Sequence, residues 1–292
     1  RSVRVLLILV FVPVVIVAAV LATAVLGHGA SGGGAGGSSA VSVTAEAPET
    51  GPPSSGYALR DAERLDVGSG AQGATVFRPR NVPAGRGRVV IFLHGWVAID
   101  PARYGPWIGH LVRRGATVIF PAYQTKPAYD TTAPLSNVLA GVRAALGQVQ
   151  LAPGRLVIAG HSAGGALAAD YAAVATGFGL PAPAAVFSVY PGRKLRHLKV
   201  PIPTADLTQI APGTRVLALV GERDTAVGSG TAHRIVAGAL LADTTLVTIR
   251  DDDADLHRAP RSSVRAAQRA FWAPLDALVE ATQPANDSAT GP

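Results

Sequence analysis

Short apolar runs recur along the middle of the chain: Val89–Leu93 (VVIFL), Thr117–Phe120 (TVIF), Leu156–Ala159 (LVIA), Ala185–Val189 (AVFSV), Val216–Val220 (VLALV) and Thr245–Ile249 (TLVTI). They are rich in β-branched residues and do not alternate with polar ones, which predicts strands buried on both faces. Between them, Tyr104–Arg114, Leu135–Val149, Ala163–Thr176, Thr231–Leu241 and Ser262–Glu280 place apolar residues at helical spacing. Strand and helix in alternation predict an α/β fold, a doubly wound and mostly parallel sheet with helices on both faces. Upstream, the stretches around Leu65 and Val76, split by Gly68-Ser69-Gly70, predict an antiparallel hairpin at the sheet edge.

The pattern changes at both ends. Val5–Leu26 is 22 consecutive uncharged, mainly apolar residues, which as a helix measures roughly 33 Å and can cross a bilayer. Arg1 and Arg4 precede it and no basic residue follows until Arg60, so residues 1–4 are expected in the cytoplasm, 5–26 as a transmembrane signal anchor, and everything beyond outside. The alternative is a signal peptide cleaved after Ala22-Thr23-Ala24, which makes the protein secreted. Residues 27–56 are Gly, Ser, Ala, Thr and Pro with few large apolar side chains, a flexible linker. Residues 57–280 are the globular domain, and 281–292 a disordered tail.

Composition removes several classes. The chain has 292 residues, 48% of them hydrophobic, and no Cys, so it can bury a full core and holds neither a disulfide framework nor a thiolate metal site or nucleophile. Net charge is +7, but the basic residues are scattered and only 5% of the chain is aromatic. No stacking platform for nucleic acid is expected, and a basic surface near anionic membrane is.

The chemistry concentrates at Gly160-His161-Ser162-Ala163-Gly164-Gly165, between the strand Leu156–Ala159 and the helical pattern from Ala163. A strand that turns sharply into a helix strains its central residue, closes only with small neighbours, and lifts the Ser162 hydroxyl out at the carboxyl end of the sheet. The competing reading is a glycine-rich turn with Ser162 as an N-cap. With this motif in place, residues 57–280 resemble the α/β-hydrolase fold family, and within it the small serine carboxylesterases and lipase-like enzymes of the dienelactone-hydrolase-related group, with Ser162 where that group has Cys. The resemblance implies that Leu93-His94-Gly95-Trp96 forms the oxyanion loop, with the N–H groups of Trp96 and Ala163 as donors. His94 itself is expected to brace that loop.

In this fold the order along the chain is nucleophile, acid, histidine. Asp224, in Gly221-Glu222-Arg223-Asp224 after the strand Val216–Val220, matches the acid, with Glu222 the weaker candidate. His257, after Asp251-Asp252-Asp253-Ala254-Asp255-Leu256, matches the histidine. The carboxylates ahead of it are expected to favour its charged form and to raise its pKa; the alternative is a solvated acidic loop. Two further expectations concern the site mouth. Pro191–Thr214 is too short for a substantial helical lid and carries Arg193, Lys194, Arg196, His197 and Lys199, either an anion-attracting cluster or an ordinary solubilising loop. Trp96 and Tyr123 either line an acyl pocket or pack at the sheet edge. The expected activity is hydrolysis of a small-molecule or lipid carboxylic ester without metal or organic cofactor, with acyl transfer, peptidase activity or a non-catalytic envelope role on the same scaffold as alternatives.

Overall fold

A computed structural model describes residues 62–80, 87–149, 151–194 and 199–282. The expected span and linker, the expected tail from residue 283 on, and Arg196 and His197 lie outside the described residues; Ala281, expected to open the tail, instead ends the last helix. Among the described residues no helix is long and apolar enough to cross a membrane.

The strands are β1 (Ala62–Val67), β2 (Ala74–Pro79), β3 (Arg88–Leu93), β4 (Ala116–Pro121), β5 (Leu156–His161), β6 (Ala185–Val189), β7 (Arg215–Gly221) and β8 (Asp243–Ile249). They form one sheet in the order β1-β2-β4-β3-β5-β6-β7-β8. β1 and β2 make the expected antiparallel hairpin, with Leu65 opposite Val76, and β2 joins β4 antiparallel. All other pairings are parallel. Every β6 residue is buried and β3 is buried from Val89 on, which is why these runs lack a polar phase: helices cover both faces.

One face carries α2 (Pro134–Leu146), α3 (Ala163–Val174) and α4 (Gly230–Gly238) over Val89, Ile91, Ile119 and Ile158. The other carries α1 (Gly105–Arg113) and the C-terminal helices over Val90, Phe92, Val118 and Phe187, with Trp107, Phe271 and Trp272 among the filling side chains. α3 is apolar all round apart from Asp170 and is buried from Ala163 to Ala173, as expected of a helix enclosed on every side. The C-terminal pattern forms one continuous helical run that starts at Arg265: α5 (Arg265–Ala267) passes through a π-helical turn at Gln268–Trp272 into α6 (Ala273–Ala281). Pro274, at the start of α6, has no N–H to continue the ladder.

Strand order reverses at β3, which lies between β4 and β5. The loops that leave the carboxyl ends of β3 and β5 therefore start as neighbours, at the point where an open α/β sheet forms its binding crevice.

Candidate active site

Ser162 stands between β5 and α3 with φ 59° and ψ −121°. A side chain tolerates this backbone at a cost of about 1–3 kcal/mol, so the turn persists only because its surroundings impose it. Those surroundings need bare backbone. A Cβ on Gly160 would lie 2.2 Å from the Gly164 carbonyl oxygen, and one on Gly164 would lie 2.2 Å from that of Leu93. The helix start is thereby pressed against the end of β3, and the amide of Ser162 donates to the Val189 carbonyl at 2.9 Å.

The three residues named from chain order meet at this turn. His257 Nε2 lies 3.0 Å from Ser162 Oγ, and His257 Nδ1 lies 2.8 Å from Asp224 Oδ2. A carboxylate only accepts, so Nδ1 carries the proton and Nε2 is left to accept from the hydroxyl. Asp224 is buried, and its other oxygen accepts from the amides of Ala226 at 2.9 Å and Val227 at 3.4 Å. Glu222, the weaker candidate, is turned outward and pairs with Arg250 at 3.0 Å. Of the other described histidines, His110 bonds Asp276 at 2.7 Å beneath α6, and His233 lies on α4.

The His94-Gly95-Trp96 loop is held from both sides. A turn closes from Gly95 to Ala98 at 2.9 Å with Val97 at φ 54°. His94 presents one ring nitrogen to its neighbour's carbonyl and the other to that of Ala122, each at 2.7 Å, and burial drives its pKa down to about 4. The Tyr123 hydroxyl donates to the His94 carbonyl at 2.5 Å, and Gln124 Oε1 accepts from Val97 N–H at 2.9 Å. His94 is thus a brace, and Tyr123, fully buried and stacked on His94 at 4.1 Å, is packing and not an acyl-pocket wall. Ala163 is the first residue of α3, so its N–H has no carbonyl one turn back to donate to. Among the described residues no acceptor takes the Trp96 N–H.

One expectation is corrected by where the side chain goes. Arg193 is no part of a basic mouth: it is buried, makes a bidentate pair with the wholly buried Asp170 of α3 at 2.7 and 2.8 Å, and donates to the Pro203 carbonyl. Asp170 also accepts from the Ala205 amide at 3.0 Å, so the segment after β6 is fastened onto α3. Its described part holds a single 3₁₀ turn, Leu207–Gln209. The acidic run ahead of His257 is likewise engaged elsewhere: Asp255 is bidentate to Arg223 at 2.6 and 2.8 Å, Asp252 also faces Arg223, and Asp251 pairs with Arg269 at 3.0 Å. Asp224 is the carboxylate that hydrogen-bonds His257. Sequence reasoning had no signal for the Arg223–Asp255 and Arg193–Asp170 pairs, because neither has a characteristic spacing.

Among the described residues no group of three or more His, Asp or Glu converges as a metal site. A search among curated proteins finds no match in sequence. Solved structures do match in fold. An esterase of Pseudomonas putida is 21% identical with a TM-score of 0.58, over 77% of this chain and 85% of that one. One of two fungal esterases of Rhizomucor miehei is 18% identical with a TM-score of 0.59, over 76% and 83%. A Klebsiella pneumoniae protein described as a dienelactone hydrolase is 18% identical with a TM-score of 0.56, over 75% and 98%. A family model described as alpha/beta hydrolase fold matches residues 90–269, more than half of the chain, and with this sheet order around a serine elbow the chain belongs to the α/β-hydrolase fold family.

Proposed function

We propose that the protein is a serine hydrolase that cleaves carboxylic esters through an acyl-enzyme. The observation that carries this reading is the unbroken hydrogen-bonded chain Ser162–His257–Asp224 on a strained turn. In the first step Ser162 Oγ attacks the ester carbonyl while His257 Nε2 takes the hydroxyl proton; the same nitrogen then returns it to the departing alkoxide, which leaves as the alcohol. Water repeats the sequence on the acyl-enzyme, releases the acid and restores Ser162. Asp224 holds the tautomer that leaves Nε2 free to accept, and stabilises the imidazolium formed in each step. The N–H groups of Trp96 and Ala163 are the donors for the developing oxyanion. That the solved neighbours include esterases supports ester over amide as the substrate class.

A fluorophosphonate probe tests this directly. The folded protein is expected to be labelled at Ser162 and Ser162→Ala to be silent, while Asp224→Asn keeps its fold and loses about 10⁴-fold in kcat. Absence of labelling on folded wild-type protein overturns the proposal.

The second part of the proposal concerns location. The uncharged run Val5–Leu26 behind Arg1 and Arg4, followed by a Gly- and Ser-rich stretch, supports a membrane-anchored enzyme with its catalytic domain extracytoplasmic. Protease added outside cells is expected to release an active fragment cut between Gly27 and Gly56; a mature N-terminus just after Ala24 would establish secretion instead.

A further inference from the structure

His161, adjacent to Ser162, points away from it into the interior. Its ring lies between two elements remote in sequence. His161 Nε2 is 2.8 Å from the backbone carbonyl of His257, and His161 Nδ1 is 2.8 Å from the Tyr104 hydroxyl, which in turn receives the Gly95 amide at 2.9 Å. Acceptor chemistry orders every proton in this chain. The His257 carbonyl can only accept, so Nε2 carries the hydrogen; the bare Nδ1 accepts from Tyr104 O–H; and the Tyr104 oxygen accepts from Gly95 N–H. The imidazole must be neutral for this pattern. Burial, with the His257 and Arg261 side chains nearby, holds its pKa well below the usual histidine range.

We infer that His161 and Tyr104 are positioning residues: three hydrogen bonds in series, from the Gly95 amide to Tyr104, from Tyr104 to His161 and from His161 to the His257 carbonyl, set the oxyanion turn and the general base in one register around Ser162. The inference rests on the proposed ester hydrolysis for its kinetic consequence. Its structural content is independent of substrate: the series begins and ends on main-chain atoms, the Gly95 amide and the His257 carbonyl, each within one position of a reacting group. Gly95 precedes the donor Trp96, His257 is the base, and His161 itself precedes the nucleophile. A displacement of about 1 Å at a reacting group costs on the order of 10²-fold in rate, so a chain that fixes three groups together is felt in turnover more than in binding.

The test compares His161→Leu, His161→Gln, Tyr104→Phe and the double variant His161→Leu/Tyr104→Phe in the full chain. Two readouts are taken: kcat and KM on a p-nitrophenyl ester, and the deshielded His257 Nδ1 proton by NMR. His161→Leu is expected to lower kcat about 100-fold with KM within about twofold, and to broaden the proton signal as the imidazole loses its fixed place against Asp224. The amide of His161→Gln, which both donates and accepts, should recover at least tenfold of that loss. Tyr104→Phe removes one oxygen from a ring that stays packed on Phe92 at 5.1 Å; it keeps the fold if His161→Leu does not, and is expected to lower kcat about tenfold. The double variant should cost no more than the worse single one, because both break the same series. A folded Tyr104→Phe or His161→Leu variant with wild-type kcat and an unaltered proton signal overturns the inference, as does strict additivity. If wild-type protein turns over no ester, the proposed function fails while the proton signal still decides the relay: lost in the variants it stands, retained it falls.

Discussion

The two halves of the site are built from different materials. The Ser162 half is fixed by close backbone packing and uncharged hydrogen bonds: the elbow packs against the end of β3 at Gly164, and the oxyanion turn is closed by its own amides and by the Tyr104, Tyr123 and Gln124 side chains. The His257 half adds side-chain charge to its backbone packing: a Cβ on Gly221 would lie 2.0 Å from the Asp255 carbonyl oxygen, and the Asp255 carboxylate, almost wholly buried two residues ahead of the base, is clamped by a half-exposed Arg223. Close backbone packing admits very few alternatives and fails all at once. An ion pair on a loop fails by degrees, because water can replace part of what is lost.

The largest expected effect breaks the first half. Gly164→Ala would set a methyl group 2.2 Å from the Leu93 oxygen and 2.4 Å from the His94 oxygen, both backbone atoms that cannot rotate away. A loss above about 4 kcal/mol, or failure to fold, is expected. Gly177→Ala, with nothing within 4 Å of the new Cβ, is the control and should be neutral. Urea unfolding of the two variants measures the contrast.

The counterpart in the second half is Asp255→Asn. It removes the charge from the clamp but leaves a polar group that can still accept, so the fold should survive with a loss of about 1–3 kcal/mol. Turnover should fall about tenfold, because the loop that delivers His257 is less constrained. A variant that unfolds like Gly164→Ala would show the two halves to be equally brittle; one with wild-type kcat would show the clamp to be irrelevant to His257.

This difference also explains what could be read from the chain. Ser162 was legible because a strained strand-to-helix elbow demands small residues at fixed offsets, which leaves the pattern G-x-S-x-G beside an apolar strand run. Asp224 and His257 were found only through the order in which this fold uses its strands. For the carboxylates ahead of His257 the sequence shows their number but not the arginines that pair with Asp251, Asp252 and Asp255. Arg193 was misplaced for the same reason: its partner Asp170 lies on a helix otherwise apolar all round, with no spacing to announce the pair. The sheet was legible because its inner strands lack a polar phase; the edge strand β8, expected to be buried on both faces, has no fully buried residue, and the π-helical turn at Gln268–Trp272 has the same apolar spacing as the helix around it.

Acid should separate the halves in turn. Burial lowers the pKa of His94 to about 4 and that of His161 well below its usual value. The unfolded chain therefore takes up protons at these two sites below pH of about 6.5 while the fold does not, so stability is complete above that pH and falls as pH drops. Each histidine contributes a slope of up to about 1.4 kcal/mol per pH unit. Asp255 behaves otherwise: its bonds to Arg223 hold its pKa below 3.8, so what it contributes is present above that pH and is lost only as pH falls through the lower value of the folded state. The Ser162 half should weaken first. Unfolding free energies at pH 7, 6 and 5 should decline, and His161→Gln should flatten part of that decline; a pH-independent stability across this window would refute neutral burial of both rings.

The smallest expected effect lies at the outer edge of the charged half. Asp251 and Arg269 meet at 3.0 Å with side chains 39% and 46% exposed, so water screens the attraction and both side chains give up rotamer freedom to maintain it. Asp251→Asn should change stability by less than about 0.5 kcal/mol and leave kcat where it is. The variant is informative because Asp251 Oδ1 also accepts from the Asp253 amide at 3.1 Å, a local bond that the Asn side-chain carbonyl reproduces. If Asp251→Asn is silent while Asp251→Ala costs about 1 kcal/mol, the turn bond and not the charge is what this residue contributes, and the clamp on the His257 loop is confined to Arg223 and Asp255. If Asp251→Asn alone lowers turnover, the charge network extends across to the π-helical turn that carries Arg269, and the second half of the site is more cooperative than its exposed geometry implies.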